Sequence, residues 1–294
     1  LFPIFGKIIW TVMARRAALS AMTLPPTLAT PACFLLGGHD LEMAEIRRLL
    51  VAQQAAGHPV AYLDLGLNWA KATWAAYLDH PASLAQVEGY LAQGYAIYGI
   101  ELLGTRPDNP YYHLIDHHND LQHLPTSLEQ VAALLGTGPL SRWQQLVAAN
   151  DRGYIPAMLA MGASPVEVDQ VRRADRQAQG VTEAEEAQAE ADLRTRTRVG
   201  HVTVVRTQLA KFSPLTDRLF GLTDNRLLVY NDNSLNYYGQ GKARLVEAFA
   251  NLIAQGHAYH GGGDTGFFGL AAGHFAPTEI EQYQQQITQL LHHA

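Results

Sequence analysis

Cysteine is almost missing from this 294-residue chain, which has only Cys33. A single thiol excludes a disulfide framework within the chain, and its place in the apolar run A-C-F-L-L-G reads as a buried, inert side chain. A basic excess is missing too. Lys and Arg number 21 against 27 Asp and Glu, for a formal net charge of -6 and a pI of about 6.1. That balance argues against a sequence-independent grip on a long nucleic acid, which needs many cations. It leaves room for a short nucleotide held through a metal. Long apolar runs are scarce. The opening L-F-P-I-F-G-K-I-I-W-T-V-M-A is too short for a bilayer, and Arg15 and Arg16 follow it where a signal peptide would have them in front. With no other spanning stretch, a cytoplasmic location and no membrane partner are expected. Met22 opens M-T-L-P-P-T just ahead of the first apolar run, so residues 1–21 are expected to be an upstream extension or an artefact.

What is present suits a globular protein with a good core: 48% hydrophobic and 16% charged residues, over a length that allows one large or two medium domains. Short apolar runs alternate with helical spacing. Strands are expected at 32–37, 59–65, 95–103 and 113–115. Helices are expected at 41–56, 68–78, 83–92, 127–135 and 139–149. Such alternation predicts an α/β fold, a mainly parallel sheet with helices on both faces. Ligands in such sheets sit at the carboxyl ends of the strands, and Asp40, Asp64, Glu101 and Asp116 all lie at or near such ends. N-D-R-G-Y-I-P at 150–156 reads as a turn. Residues 165–198, rich in Ala, Gln, Glu and Arg, read as a solvated helical connector with acids first and arginines last, as the helix dipole favours. The pattern restarts with strands at 201–207 and 226–233, an amphipathic helix at 242–253, a glycine-rich H-G-G-G-D-T-G, and a last helix at 277–291. The expected organisation is therefore residues 22–160, a helical linker over 161–200, and a smaller α/β domain over 201–294.

Chemistry concentrates in a few places. In G-G-H-D-L-E-M, Asp40 and Glu42 are separated by one residue, a spacing that aims both carboxylates to one side of an extended segment. Y-H-L-I-D-H-H-N-D ends an apolar run with Asp116, His117 and His118. Together with Asp151, these oxygen and imidazole donors suit manganese or another divalent cation. A pair of such ions can clamp a phosphoryl group and activate water. Each motif alone has an ordinary explanation. Acids cap helices, His-His pairs occur in turns, and glycine runs are often only flexible. Their joint order is what points to a site.

The order resembles the DHH phosphoesterase family. The match is to the signature I-D-H-H-N at 115–119, preceded by the acid-x-acid pair Asp40 and Glu42 after the first strand and by Glu101 on the strand before the signature. It is followed by Asp151 with a glycine and, near the end, by Gly261-Gly262-Gly263. The resemblance runs from about residue 32 to the end and implies a metal-dependent phosphoesterase with a bimetallic site, usually manganese, with magnesium or another divalent ion as the alternative. By position Asp40, Glu42, Glu101, His117 and Asp151 would bind metal, two ions or one. Asp64 competes with Glu101 as the bridging acid. Asp116 would orient His117, and His118 would face the substrate phosphate. Gly261, Gly262 and Gly263, followed by Asp264, would form a substrate loop. The implied substrate is a small phosphodiester or phosphoanhydride: a nucleotide, an oligonucleotide or polyphosphate. A homodimer is compatible with this. Several positions depart from the family pattern. Phe34, Leu35 and Leu36 stand where a strand-end histidine is usual, Glu42 and Glu101 where aspartates are usual, and Asp264 where the loop has histidine. The glutamates, one methylene longer, would still reach the metals, whereas the missing strand-end histidine and Asp264 suit the alternative, a catalytically degenerate DHH-fold protein that binds a nucleotide or a protein partner.

Overall fold

The computed structural model describes residues 30–222, 226–262 and 266–292. The expectations for residues 1–21, Met22, Gly263 and Asp264 fall outside these residues. The chain divides into two compact units, Leu1–Asp175 and Arg176–Ala294.

The first unit is built on a four-stranded, all-parallel sheet of β1 (Ala32–Leu35), β2 (Val60–Leu63), β3 (Ala96–Ile100) and β4 (Tyr112–Ile115), in the order β2-β1-β3-β4. β1, β2 and β3 are short, apolar and largely buried, as strands covered on both faces should be, whereas the edge strand β4 buries Tyr112 and Ile115 and leaves Leu114 exposed. Cys33 and Leu35 face one layer with Ala61, Leu63 and Ile97. There Trp74 and Tyr77 of α2 (Trp74–Leu78) and Val87 of α3 (Pro81–Ala92) close the core. On the other side lie α1 (Leu41–Ala55), α4 (Ser127–Leu135) and α5 (Arg142–Ala160), with α1 in contact with both α4 and α5. Because β1 lies between β2 and β3, the chain leaves β1 toward one edge of the sheet and leaves β3 toward the other. The loops leaving these two strands therefore border a topological switch point, where such sheets place ligands. Gly37 lets the two loops meet: a Cβ there would stand 2.5 Å from the Ile100 carbonyl oxygen.

Three helices differ from expectation. The predicted 68–78 helix is a 3₁₀ turn, Trp69–Lys71, followed by α2, whose N-terminus is capped by Thr73. The predicted turn at N-D-R-G lies inside α5, which breaks at Gly153 (φ −165°, ψ 27°) and Tyr154 (φ 58°, ψ −150°). Pro156 is the cause. It has no N–H to give, and its ring disfavours helix in the preceding turn. Asp151 thus sits in the last regular turn before the break. The single helix expected at 242–253 is two, α9 (Lys242–Ala248) and α10 (Ala250–Ala254), joined at Phe249.

The acid-and-arginine stretch forms α6 (Pro165–Ala178) and α7 (Glu183–Arg194), with Thr182 in a capping box at the start of α7. It is not uniformly solvated: Val171, Arg172, Asp175, Arg176, Glu186 and Ala189 are buried. The charges go inside as pairs, Arg176 Nε with Glu186 at 2.7 Å and Arg176 Nη1 with Asp217 at 2.5 Å. The second unit carries a six-stranded sheet of β5 (Thr197–Val199), β6 (Val202–Arg206), β7 (Arg226–Tyr230), β8 (Leu235–Gly239), β9 (Ala258–Gly261) and β10 (Phe267–Leu270). The order is β5-β6-β7-β8-β10-β9, and the β6–β7 pair is the parallel one. Ile280, Ile287 and Leu291 of α11 (Pro277–His292) join Val202, Leu228, Tyr237 and Phe268 in its main core. On the other side α8 (Ser213–Leu219) and α7 pack Leu215, Leu219 and Ala189 against Val205, Leu227 and Val229.

Candidate metal centre

The sheet's carboxyl edge gathers residues from four places in the first unit. Glu42 is on the first turn of α1, Glu101 follows β3, His117 and His118 follow β4, and Asp151 is in α5. His117 Nε2 is the hub. It lies 2.5 Å from Asp151 Oδ2 and 3.7 Å from both Glu42 Oε2 and Glu101 Oε1. Glu101, His117, His118 and Asp151 each offer a donor atom, all four within 4.8 Å of one another. The second oxygen of Glu42 is committed. Its Oε1 accepts the Leu128 N–H at 3.0 Å, one of the open amides at the start of α4.

The electrostatics of this cluster are unbalanced. Glu42, Glu101 and His117 are almost fully buried. Among the described residues, Glu42 Oε2, both carboxylate oxygens of Glu101, His117 Nε2 and Asp151 Oδ2 are buried without a hydrogen-bond partner. The 2.5 Å approach of His117 to Asp151 is therefore an ion pair without the geometry of an ordinary hydrogen bond. Burial pushes the Glu101 carboxyl well above its usual range, helped by the charges of Glu42, Asp40 and Asp151. Burial also raises Glu42, against the pull of His117. For His117 burial works downward, but the Asp151 and Glu42 carboxylates overcome it and hold the imidazolium up to about 10. A group of buried acids around one nitrogen needs positive charge at its centre. A proton on His117 supplies one unit; a divalent cation would supply two and use the orphaned atoms as ligands. The donor set, carboxylate and imidazole, is of the kind such a cation takes.

The remaining expected residues separate. Asp40 is buried but caps α1, with Oδ1 accepting Met43 N–H at 2.8 Å and Oδ2 facing Trp69 Nε1 at 3.4 Å. Burial lifts its carboxyl to about 7. It stands outside the four-residue group. Asp64 is spent elsewhere, on Gly66 N–H at 2.9 Å, His39 Nε2 at 3.1 Å and Arg47 at 3.6 Å. Those contacts also occupy His39. Asp116 was expected to orient His117, but its Oδ1 takes the His118 N–H and the His118 Nδ1, both at 2.9 Å. The reason is local: an aspartate bonding two residues ahead closes a tight turn. Burial would raise the Asp116 carboxyl, and the His118 contacts bring it below the usual value instead. Gly261 and Gly262 belong to the second unit. The Gly261 carbonyl accepts from Lys242 Nζ at 3.0 Å, and Gly262 takes the left-handed φ of 71° that glycine permits. Sequence reasoning passed over Trp69, whose ring stands edge-on to His118 with centroids 4.6 Å apart. Nothing in the loop sequence N-W-A-K announces that contact.

No family model matches the chain, and no curated protein matches it. Among solved structures four chains match. One, described as a DHH-domain member of the s1p family of ribosomal proteins, aligns with a TM-score of 0.52 at 10% sequence identity. The alignment covers 97% of this chain and 90% of that one. The chain has a DHH-domain fold. At this identity the likeness carries the architecture alone. Within that fold the Glu, His and Asp cluster could hold a divalent cation, and no helix among the described residues is long and apolar enough to cross a membrane.

Proposed function

We propose that this protein is a metal-dependent phosphoesterase acting on a small phosphorylated substrate, a phosphodiester or phosphoanhydride of the nucleotide, oligonucleotide or polyphosphate kind. The observation that carries the reading is the set of buried donor atoms without partners around His117. Its support is the DHH-domain fold. Glu101, His117 and Asp151 would hold the cation, with Glu42 through Oε2. Manganese suits this donor set, and magnesium is the alternative. When bound, the cation supplies Lewis acidity toward a phosphoryl oxygen and lowers the pKa of water. The acids also explain why a cation is required at all, because a phosphate would be repelled by uncompensated carboxylates. His118 has its Nδ1 fixed by Asp116, so Nε2 is the nitrogen left to face a substrate. From there Nε2 would meet a phosphoryl oxygen or the leaving oxygen of the substrate. A location in the cytoplasm, and a monomer or homodimer, are part of the same proposal.

One observation favours a second reading. Asp40, an expected ligand, spends both oxygens on Met43 and Trp69, and His39 is paired with Asp64. A centre built this way favours one ion over two, which suits a binding protein of the DHH fold as well as a hydrolase. Manganese-dependent hydrolysis of bis(p-nitrophenyl) phosphate, compared between the natural protein and His117→Ala, separates the two. The expected outcome for the enzyme is activity that falls at least about 100-fold in the variant, the scale of losing a group that binds the metal. Metal uptake with no turnover on any phosphoester supports the binding protein, and no uptake at all removes the hydrolase.

A further inference from the structure

Glu42 and Asp151 reach the centre from helix ends, Glu42 from the start of α1 and Asp151 from just before the break in α5. Sheet pairing fixes neither. One buried ion pair touches both ends. Arg172 and Asp175, on α6, are 7% and 5% exposed. Arg172 Nη1 donates to Asp175 Oδ2 at 2.7 Å and to Asn150 Oδ1 at 2.9 Å, and the guanidinium carbon lies 4.5 Å from the centroid of the Tyr154 ring. Asp175 Oδ1 accepts the Leu41 N–H at 3.2 Å. Asn150 immediately precedes Asp151, Tyr154 is the left-handed residue of the break, and Leu41 lies between Asp40 and Glu42.

We propose that the Arg172–Asp175 pair is the positioning device of the metal centre, setting the distance between the Glu42 and Asp151 carboxylates. This rests on the metal reading above. Burying two charges costs desolvation that only well-aligned partners offset, and an apolar pair would join the helices without that cost. The planar guanidinium adds what an apolar contact lacks. It addresses two acceptors and an aromatic face at fixed angles, which an ammonium does not reproduce. Asp175 extends the same geometry to the first amide of α1. The pair reads the separation of two helix ends and passes it to the ligands they carry.

The test is a Mn²⁺ titration of the full-length protein, followed by the electron paramagnetic resonance of free and bound Mn²⁺. Its companions are Arg172→Lys and, as a control destabilised in the other unit, Leu215→Ala. Arg172→Lys is expected to fold, to bind Mn²⁺ about 10- to 100-fold more weakly, as loss of an outer partner of a metal site does, and to alter the spectrum of the bound ion. Leu215→Ala loses thermal stability and binds like the natural protein. Wild-type affinity in Arg172→Lys, or equal weakening in Leu215→Ala, overturns the proposal. Should Arg172→Lys not fold, Asn150→Ala carries the same question, with weaker binding expected and unchanged binding decisive against it. If the natural protein takes up no Mn²⁺, the metal reading itself fails, and this inference with it.

Discussion

Glu101 holds a backbone conformation that side-chain-bearing residues rarely accept, with φ of 53°. Its amide pairs with the Ile115 carbonyl at 2.8 Å, so the strain arises just where β3 hands over to its loop. The twist aims both carboxylate oxygens inward, where neither finds a hydrogen bond among the described residues. Strain and an unpaired buried acid at one residue mark a position kept for something other than stability. Glu101→Gln keeps the shape and removes the ionisable carboxyl from the crowded cluster. We expect the metal-free variant to melt higher than the natural protein by a few degrees, since about 1 kcal/mol moves a domain of this size by about 2–4 °C. The Mn²⁺-induced rise in melting temperature should shrink or vanish. Scanning calorimetry in EDTA and in Mn²⁺ measures both. A lower metal-free melting point would mean that the carboxylate stabilises the fold and that the cluster is not under like-charge stress.

The strands and the order of acids on their ends could be read from the chain because burial on both faces leaves a plain apolar run at each strand. The acid-x-acid and I-D-H-H-N positions stand out against those runs. Where reading failed, the deciding contact lay between distant residues. N-D-R-G has the composition of a turn, and only Pro156 five residues on shows that a helix runs through Asp151 and then stops. Asp64 and Glu101 end their strands alike, and nothing local says that Arg47 and His39 engage the first while the second has no hydrogen-bond partner among the described residues. Arg172 and Asp175 look like surface charge because their burial comes from packing alone. Helix ends were clearer. Thr126 caps α4 in a capping box with Glu129, whose carboxylate takes the Thr126 N–H at 2.8 Å. The start of α4 so anchored presents Leu128 N–H to Glu42. Thr126→Ala should cost about 1 kcal/mol of unfolding free energy, the usual loss of a cap. Chemical denaturation reads this out, and a change within error would show that Leu128 and Glu42 alone hold that helix end.

Across the whole molecule these groups give the metal-free protein an unusual pH profile. Burial holds Asp40 up to about 7 from an ordinary 3.8, and it raises Glu42 and Glu101. Nearby carboxylates, working against burial, raise His117 to about 10 from an ordinary 6.5. Every one of these groups binds its proton more tightly folded than unfolded. The stability this contributes is complete below each ordinary value and is lost as pH rises through the folded one. Asp116 and Glu186 act in the opposite sense. Burial opposes their ionisation, but His118 contacts lower Asp116 and the Arg176 and Arg218 contacts lower Glu186. Their contribution is present above the ordinary carboxylate values and disappears in acid. The metal-free protein should therefore be most stable on the acid side of neutrality, and its melting temperature should fall steadily from about pH 5 to pH 9. Mn²⁺ should reverse the trend. Ligands must be deprotonated to bind it, so the rise in melting temperature that it produces grows with pH. Melting curves across this range in EDTA and in Mn²⁺ should diverge as pH climbs. Parallel curves, or a metal-free protein that gains stability toward pH 9, would show that the buried acids and His117 do not form one cation-seeking centre.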